Sequence, residues 1–298
     1  MKKVLVTGGN GFIGTVFCKK LRENGYPFRV LTNMETPFFA PETMVIADLC
    51  DSEKIESLLN EFQPDVIVHL AAIASPVYGD AASIYRVNVC GTESLLKAAV
   101  KCLPKGTRVI LTSTAGVYGN QDVPYLYETL PFNPPNHYGI SKVAVEIMSR
   151  QYTDDLNIQI IRPFNIISSG QNANFLVPKL VNAFRKRQET IQLGNLNVER
   201  DFVSVGFIAN VIFDLCNTDK VFSPALNICS GIATSCGEII ATLERLTGHH
   251  IRVETVDAFV RKNDIWRMIG DTTLLDTLVQ GRYKSEDVET ILQTMLTD

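Results

Sequence analysis

Residues 4–14 read Val4-Leu5-Val6-Thr7-Gly8-Gly9-Asn10-Gly11-Phe12-Ile13-Gly14. A short apolar, β-branched run ends at Thr7, glycines stand at 8, 11 and 14, and Thr15 to Glu23 continues with helical spacing through Val16, Phe17 and Leu21 until Asn24-Gly25 stops it. The pattern is strand, glycine turn, helix. In that setting Gly8 permits the tight turn, Gly11 removes a side chain where a pyrophosphate must approach the backbone, and Gly14 lets helix pack closely on strand. The helix start at Phe12 and Ile13 then offers unpaired N–H groups to phosphate oxygens.

The same alternation continues outward. Strands are expected at 28–31, 44–47, 66–71, 108–113 and 158–162, with helices at 52–62, 82–101 and 138–152 between them. Strands that are apolar throughout, separated by amphipathic helices, imply a parallel sheet covered on both faces. The first half is therefore expected to be a doubly wound α/β domain of the Rossmann kind. After Pro163 the order loosens: a helix at 176–187, strands near 190–193 and 202–205, and a terminal helix at 285–296. Phe207 to Cys216 and Ala225 to Ile228 read as a helix and strand returning to the main sheet. The expected division is residues 1–164 plus about 203–228 for the dinucleotide-binding domain, and about 165–202 plus 229–298 for a smaller α/β substrate-binding domain.

Composition narrows the function classes. With 46% hydrophobic and 20% charged residues the chain can bury a sizeable core, and a net charge of −4 leaves no basic excess for nucleic acid. The seven cysteines are scattered with no CxxC spacing, so they read as small core residues in a reducing compartment and not as a zinc or disulfide framework; no metal site is expected. Met1-Lys2-Lys3 runs straight into the first strand without an apolar signal region, and the longest apolar stretch, Val66 to Ala74, contains His69. No membrane association is expected, and the location is expected to be cytoplasmic.

The second strand ends at Thr32-Asn33 with no carboxylate to hold the ribose hydroxyls of a dinucleotide. This removes a barrier to a 2′-phosphate, though no arginine follows closely, and tilts cofactor choice slightly toward NADP(H) over NAD(H). Asp48, after the third strand, is a candidate for the adenine amino group or, alternatively, a turn residue before the helix at Ser52. Further along, Tyr138-Gly139-Ile140-Ser141-Lys142 opens a helix, and four-residue spacing puts Tyr138 and Lys142 on one face. A cation there favours phenolate, which helps a tyrosine of ordinary pKa about 10 to exchange protons near neutrality. Thr114 lies at the C-terminal edge of a parallel strand, where ligands bind in such sheets.

Together these pieces resemble the extended short-chain dehydrogenase/reductases of nucleotide-sugar metabolism. The matching segments are TGGNGFIG (7–14), Asp48-Leu49, His69-Leu70-Ala71-Ala72, Asn88-Val89-Cys90-Gly91-Thr92, Ser113 to Gly119, YGISK (138–142) and Arg162-Pro163-Phe164-Asn165. The resemblance implies a triad of Thr114, Tyr138 and Lys142. It implies cofactor contacts from Gly8, Gly11, Phe12, Ile13, Gly14, Thr32, Asn33, Asp48, Leu49, Leu70, Ala71, Ala72, Asn88, Tyr138, Lys142, Pro163 and Phe164.

The second half is most similar to GDP-mannose 4,6-dehydratases and GDP-4-keto-6-deoxymannose reductases. That likeness implies substrate contacts from Ser75, Asn165, Lys179, Arg200, Arg261 and Asp264; a guanidinium fork suits diphosphate oxygens. Dehydratases carry an acidic pair directly after the triad Ser/Thr, where this chain has Ala115-Gly116, so dehydration is not expected. The expected activity is NAD(P)H-dependent reduction of the C4 keto group of an NDP-4-keto-6-deoxyhexose. The alternative is an NDP-hexose 4-epimerase with tightly bound NAD, and a third reading is an inactive NAD(P)-sensing regulator. The helices at 82–101 and 138–152 carry apolar residues over more than one stripe, among them Val89, Leu95, Leu96, Val143, Val145 and Ile147; one stripe packs on the sheet and the other needs a partner, and the resemblance implies a homodimer built from these helices as a four-helix bundle.

Overall fold

The computed structural model describes residues 1–74, 80–256 and 265–297. In chain order the elements are β1 (Val4–Thr7), α1 (Phe12–Glu23), β2 (Phe28–Thr32), β3 (Met44–Ile46), α2 (Ser52–Phe62), β4 (Val66–His69), α3 (Ala81–Tyr85), α4 (Gly91–Cys102), β5 (Thr107–Thr112), α5 (His137–Ser149) and β6 (Leu156–Pro163). They continue with β7 (Asn165–Ile167), α6 (Leu176–Arg185), β8 (Thr190–Leu193), β9 (Glu199–Arg200), β10 (Phe202–Ser204), α7 (Val205–Cys216), β11 (Leu226–Ile228), β12 (Thr234–Ser235), α8 (Cys236–Thr247), β13 (Arg252–Thr255), β14 (Arg267–Met268), α9 (Thr273–Val279) and α10 (Val288–Thr297).

A seven-stranded parallel sheet runs in the order β11-β6-β5-β4-β1-β2-β3. Side chains alternate across it, so Val4, Val6 and Val68 face α1 and α7, whose Phe17, Leu21, Ile208 and Leu215 cover them. Leu5, Ile67 and Leu111 face the opposite layer, with Ile55, Leu95, Leu96 and Val145 from α2, α4 and α5. Both faces are buried, which is why the strands carry no polar alternation. The chain leaves β1 toward β2 and β3, then crosses to β4 on the other side of β1. The crevice of such a sheet opens above the C-terminal ends of β1 and β4, at Gly8 and Leu70.

The helix expected at 82–101 is interrupted. Residues Arg86–Cys90 form a π-helical turn between α3 and α4. The returning helix and strand expected at 207–216 and 225–228 are present as α7 and β11, and β11 pairs with β6; β10 pairs instead with β7 in a separate two-stranded sheet. Two helices were not anticipated, α8 and α9. The first carries a legible start signal: Ser235 accepts from the Glu238 N–H while the Glu238 carboxylate accepts from the Ser235 N–H. Of the cysteines, Cys18, Cys216, Cys229 and Cys236 are buried as expected, whereas Cys50 and Cys102 are half-buried and Cys90 is exposed; all seven are free thiols. Among the described residues no helix is long and apolar enough to cross a membrane.

A separate core joins α6, α8 and α10 through Leu180, Val181, Phe184, Ile239, Leu243 and Leu292. Its attachment to the main sheet centres on Asp201, which is fully buried. One carboxylate oxygen accepts from the Ser230 N–H and hydroxyl, each at 2.7 Å, and the other from the N–H groups of Gly231 at 2.8 Å and Gly270 at 3.1 Å. Asp201→Asn would turn amide hydrogens toward backbone donors. It is expected to destabilise the fold by about 3 kcal/mol or more in urea unfolding, as unpaired buried donors cost.

Candidate active site

The glycine turn has the shape the sequence implies. Gly8 adopts φ +68°, and a Cβ there would lie 2.7 Å from the Ala71 backbone. A Cβ on Gly14 would lie 2.3 Å from the Gly8 carbonyl oxygen, so helix and turn touch backbone to backbone. The N-cap of α1 is Gly11, no side chain caps it, and the first turn holds no acid. The N–H groups at this end are left for an anion, and the residues present fit the pyrophosphate of a dinucleotide.

Beside the turn runs a chain of hydroxyls through His69. Thr92 donates its hydroxyl hydrogen to the Asn88 carbonyl at 2.6 Å, so its oxygen accepts from His69 Nε2–H at 2.8 Å. The other ring nitrogen, Nδ1, then accepts from the Thr7 hydroxyl at 2.6 Å, and the Thr7 oxygen accepts from the Ala71 N–H at 3.2 Å. Burial and the nearby Lys142 ammonium push the imidazole down to about 3, which keeps it neutral, as this chain of bonds requires. Asn88 projects from the π turn: its side-chain Oδ1 accepts from the Ile73 N–H at 2.8 Å, and its side-chain amide donates to Ser141 Oγ at 3.0 Å.

Thr114, Tyr138 and Lys142 meet at the end of β5. Asn136 caps α5 by accepting from the Gly139 N–H, which sets Tyr138 in the first turn. The Thr114 side chain stands by the Tyr138 phenol and acts to lower its pKa, and the Thr114 hydroxyl oxygen accepts from the Gly116 N–H at 3.1 Å. Lys142, 4% exposed, donates to the Thr112 carbonyl at 2.8 Å. The ammonium is thus turned onto the strand and not onto the phenol. Burial pushes Tyr138 up to about 12, opposed by the Thr114 side chain, and Lys142 is not among the groups that lower it. Burial lowers Lys142 itself to about 8, with Glu146 acting in the opposite sense. A buried phenol that keeps its proton at neutral pH, with the Thr114 side chain beside it, suits donation of that proton.

The sequence reading overlooked a buried network beneath this trio. Arg162, 1% exposed, donates from Nε and Nη2 to the Glu146 carboxylate at 2.9 and 2.6 Å, and from Nη1 to the Tyr118 hydroxyl at 2.8 Å and the Glu128 carbonyl at 2.9 Å. Ser113 also donates to Glu146. Tyr118 donates to Asn227 Oδ1 at 2.7 Å, and the Glu128 carboxylate accepts from the Asn227 N–H at 2.9 Å. The available signal was Glu146 lying four residues after Lys142 between Val145 and Ile147.

The remaining expected positions fall as follows. Phe12, Ile13, Leu70, Ala71 and Ala72 are half-buried around the turn, and Pro163 ends β6. Thr32 is buried, its hydroxyl turned back onto the Met34 carbonyl at 3.1 Å, and Asn33 is the exposed one of the two. Asp48 pairs with Arg86 at 2.7 Å and accepts from the Cys50 N–H at 2.8 Å, while Asp51 caps α2. Leu49 is buried against Gly91. Phe164 is 4% exposed and packs near the Tyr118 ring, centroids 6.4 Å apart. Asn165 donates to the Asp201 carbonyl at 3.2 Å, Lys179 to the Gln192 carbonyl at 2.9 Å and Arg200 to the Glu199 carbonyl at 3.0 Å. Ser75, Arg261 and Asp264 lie outside the described residues.

Residues 4–229 match the model of the NAD dependent epimerase/dehydratase family. The chain belongs to that family. Members are extended short-chain dehydrogenase/reductases, and this one is an NAD(P)-dependent enzyme of that type. It is 38% identical over 293 residues to a GDP-6-deoxy-D-talose 4-dehydrogenase of Aggregatibacter actinomycetemcomitans, covering 98% of this chain and 96% of that one. A GDP-6-deoxy-D-mannose reductase of Pseudomonas aeruginosa is 26% identical, with 90% and 88% covered. The crystal structure of an epimerase candidate from Burkholderia cenocepacia superimposes with a TM-score of 0.90 at 33% identity, covering 99% and 97%.

Tyr138→Phe is expected to lower turnover at least ~10²-fold, the worth of a positioned general acid, while leaving cofactor affinity nearly intact by fluorescence titration. The charge on Lys142 is present below its pKa and lost above it. Turnover should therefore fall as pH rises through about 8, and Lys142→Met should remove that fall together with part of the cofactor affinity.

Proposed function

We propose that this enzyme reduces the C4 keto group of an NDP-4-keto-6-deoxyhexose, with GDP sugars the first to test. The observation that carries the reading is the Tyr138–Thr114 hydroxyl pair beside Ala115-Gly116. One site for a proton stands there, and the two residues that follow have no group to remove a second. That pattern supports redox chemistry at a single carbon and opposes elimination of water. The two GDP-6-deoxyhexose relatives act at the same class of molecule in the names they carry.

When bound, the nicotinamide supplies the hydride that reaches C4. Tyr138 gives its proton to the carbonyl oxygen and regains one from solvent, and Thr114 holds that oxygen as negative charge develops. Lys142 would hold the nicotinamide ribose, and its positive charge would favour departure of the phenol proton. Gly8, Gly11 and Gly14 with Phe12 and Ile13 hold the pyrophosphate. Asn165, Lys179 and Arg200 are assigned to the sugar nucleotide, within a substrate-binding domain of about residues 165–202 and 229–298. Free thiols are in keeping with a reducing, cytoplasmic setting.

The second reading, 4-epimerase, is favoured by the same Ala115-Gly116, since returning hydride to the other sugar face needs no further acid. Incubation with a GDP-4-keto-6-deoxyhexose and NADPH separates the two. A reductase consumes reduced cofactor in step with sugar; an epimerase copurifies with its cofactor and shows no net consumption. Cofactor choice follows from Thr32, where no carboxylate stands either to repel a 2′-phosphate or to accept both hydrogens of a free diol. NADPH is expected to be modestly favoured in kcat/KM, and Thr32→Asp to shift the ratio toward NADH by about tenfold.

Assembly is proposed as a homodimer through α4 and α5, on the stripe that the sheet does not cover. Leu95, Leu96 and Val145 are buried in the core and Val89 and Val143 pack against it. The exposed apolar residues on these helices are Val100, Ile140 and Ile147 at 37%, 41% and 49%. Ile140 and Ile147 lie two turns apart on one face of α5, which suits an isologous contact. Light scattering at micromolar concentration should show a dimer, and Ile140→Glu/Ile147→Glu a monomer.

A further inference from the structure

Glu146 has no part in the chemistry above, yet it is 1% exposed and carries a charge. Its partners stand at the ends that bear the site. Ser113 immediately precedes Thr114 after β5, Arg162 precedes Pro163 in β6, and Glu146 itself follows Lys142 by one turn of α5. Apolar residues of similar volume often replace a buried ion pair without loss of stability, so packing alone does not account for this one.

The surroundings of the Lys142 ammonium are sparse in charge. From β4 comes His69, held neutral; from β5 the Thr112 carbonyl; from α5 Tyr138 and Glu146; and from β6 Arg162, behind Glu146. Among the described residues Glu146 is the group whose charge opposes the effect of burial on this lysine. We propose that Glu146 is a positioning residue for Lys142: clamped by Arg162 and Ser113, its carboxylate holds the ends of β5, β6 and α5 in register and balances the neighbouring ammonium while it engages the cofactor. The proposal rests on the assignment of Lys142 to the cofactor site and on no particular sugar.

The test is the pH dependence of NADPH binding, followed by fluorescence titration. A wrong sugar assignment would show as absent turnover by the unmodified enzyme and would leave this titration intact. In the unmodified enzyme affinity falls as Lys142 loses its proton, a fall that Lys142→Met abolishes. Glu146→Gln removes the negative charge and leaves Arg162 unpaired, so the midpoint moves to lower pH by about one unit. Should that variant fail to fold, Glu146→Gln/Arg162→Met removes both charges, and its midpoint is expected below that of the unmodified enzyme. Glu146→Asp, which keeps the charge, keeps the midpoint even if its melting temperature drops. A purely structural role lowers stability and leaves every midpoint fixed. Equal midpoints in the unmodified enzyme and the double variant overturn the proposal, as does a titration that Lys142→Met leaves unchanged.

Discussion

The Arg162 guanidinium is the fixed point of the catalytic edge. Its planar fork engages both oxygens of Glu146, while a third nitrogen reaches Tyr118 and the Glu128 carbonyl, and the rings of Tyr118 and Phe132 lie 4.9 and 5.3 Å away. Strand β6, helix α5, the segment after β5 and the loop before α5 all end on one side chain. Loss of either partner would strand a buried charge, at about 3–5 kcal/mol. The Tyr118–Asn227 bond extends the same network to β11, the edge strand of the sheet.

The other half of the edge is organised without charge. There the Thr7–His69–Thr92 chain ties β1 and β4 to α4, and every member is neutral. The division has a physical logic. The glycine turn must receive anionic phosphates on bare N–H groups, and a fixed carboxylate nearby would repel them. The β5–β6 side positions a lysine in a dry site, where a carboxylate one turn away is an asset.

Local periodicity made the strands, most helices and the glycine turn legible, because each depends on residues a few positions apart. The pairing of Tyr138 with Lys142 on one helical face was legible for the same reason. What Lys142 touches was not, since the Thr112 carbonyl comes from a strand thirty residues earlier in sequence. Glu146 looked like any helical charge until Arg162, in an otherwise apolar strand, was seen to face it. Asp201 likewise reads as a surface acid, and only the folding together of residues 230, 231 and 270 reveals four donors around it. The helix α8 is a different case: its Ser235 and Glu238 start signal was present in the sequence and was overlooked.

The π turn at Arg86–Cys90 places one additional residue in a helix that otherwise winds regularly from α3 into α4. Each residue of an α-helix turns the chain by about 100°, so deleting one residue here would relax the turn yet rotate everything before it by roughly that angle relative to α4. Leu95, Leu96 and Ala99 would stay on the sheet, and Asn88 would swing away from Ile73 and Ser141. The bulge therefore works as a phase adjuster: it lets one helix satisfy two surfaces whose spacing no unbroken 3.6-residue repeat could match.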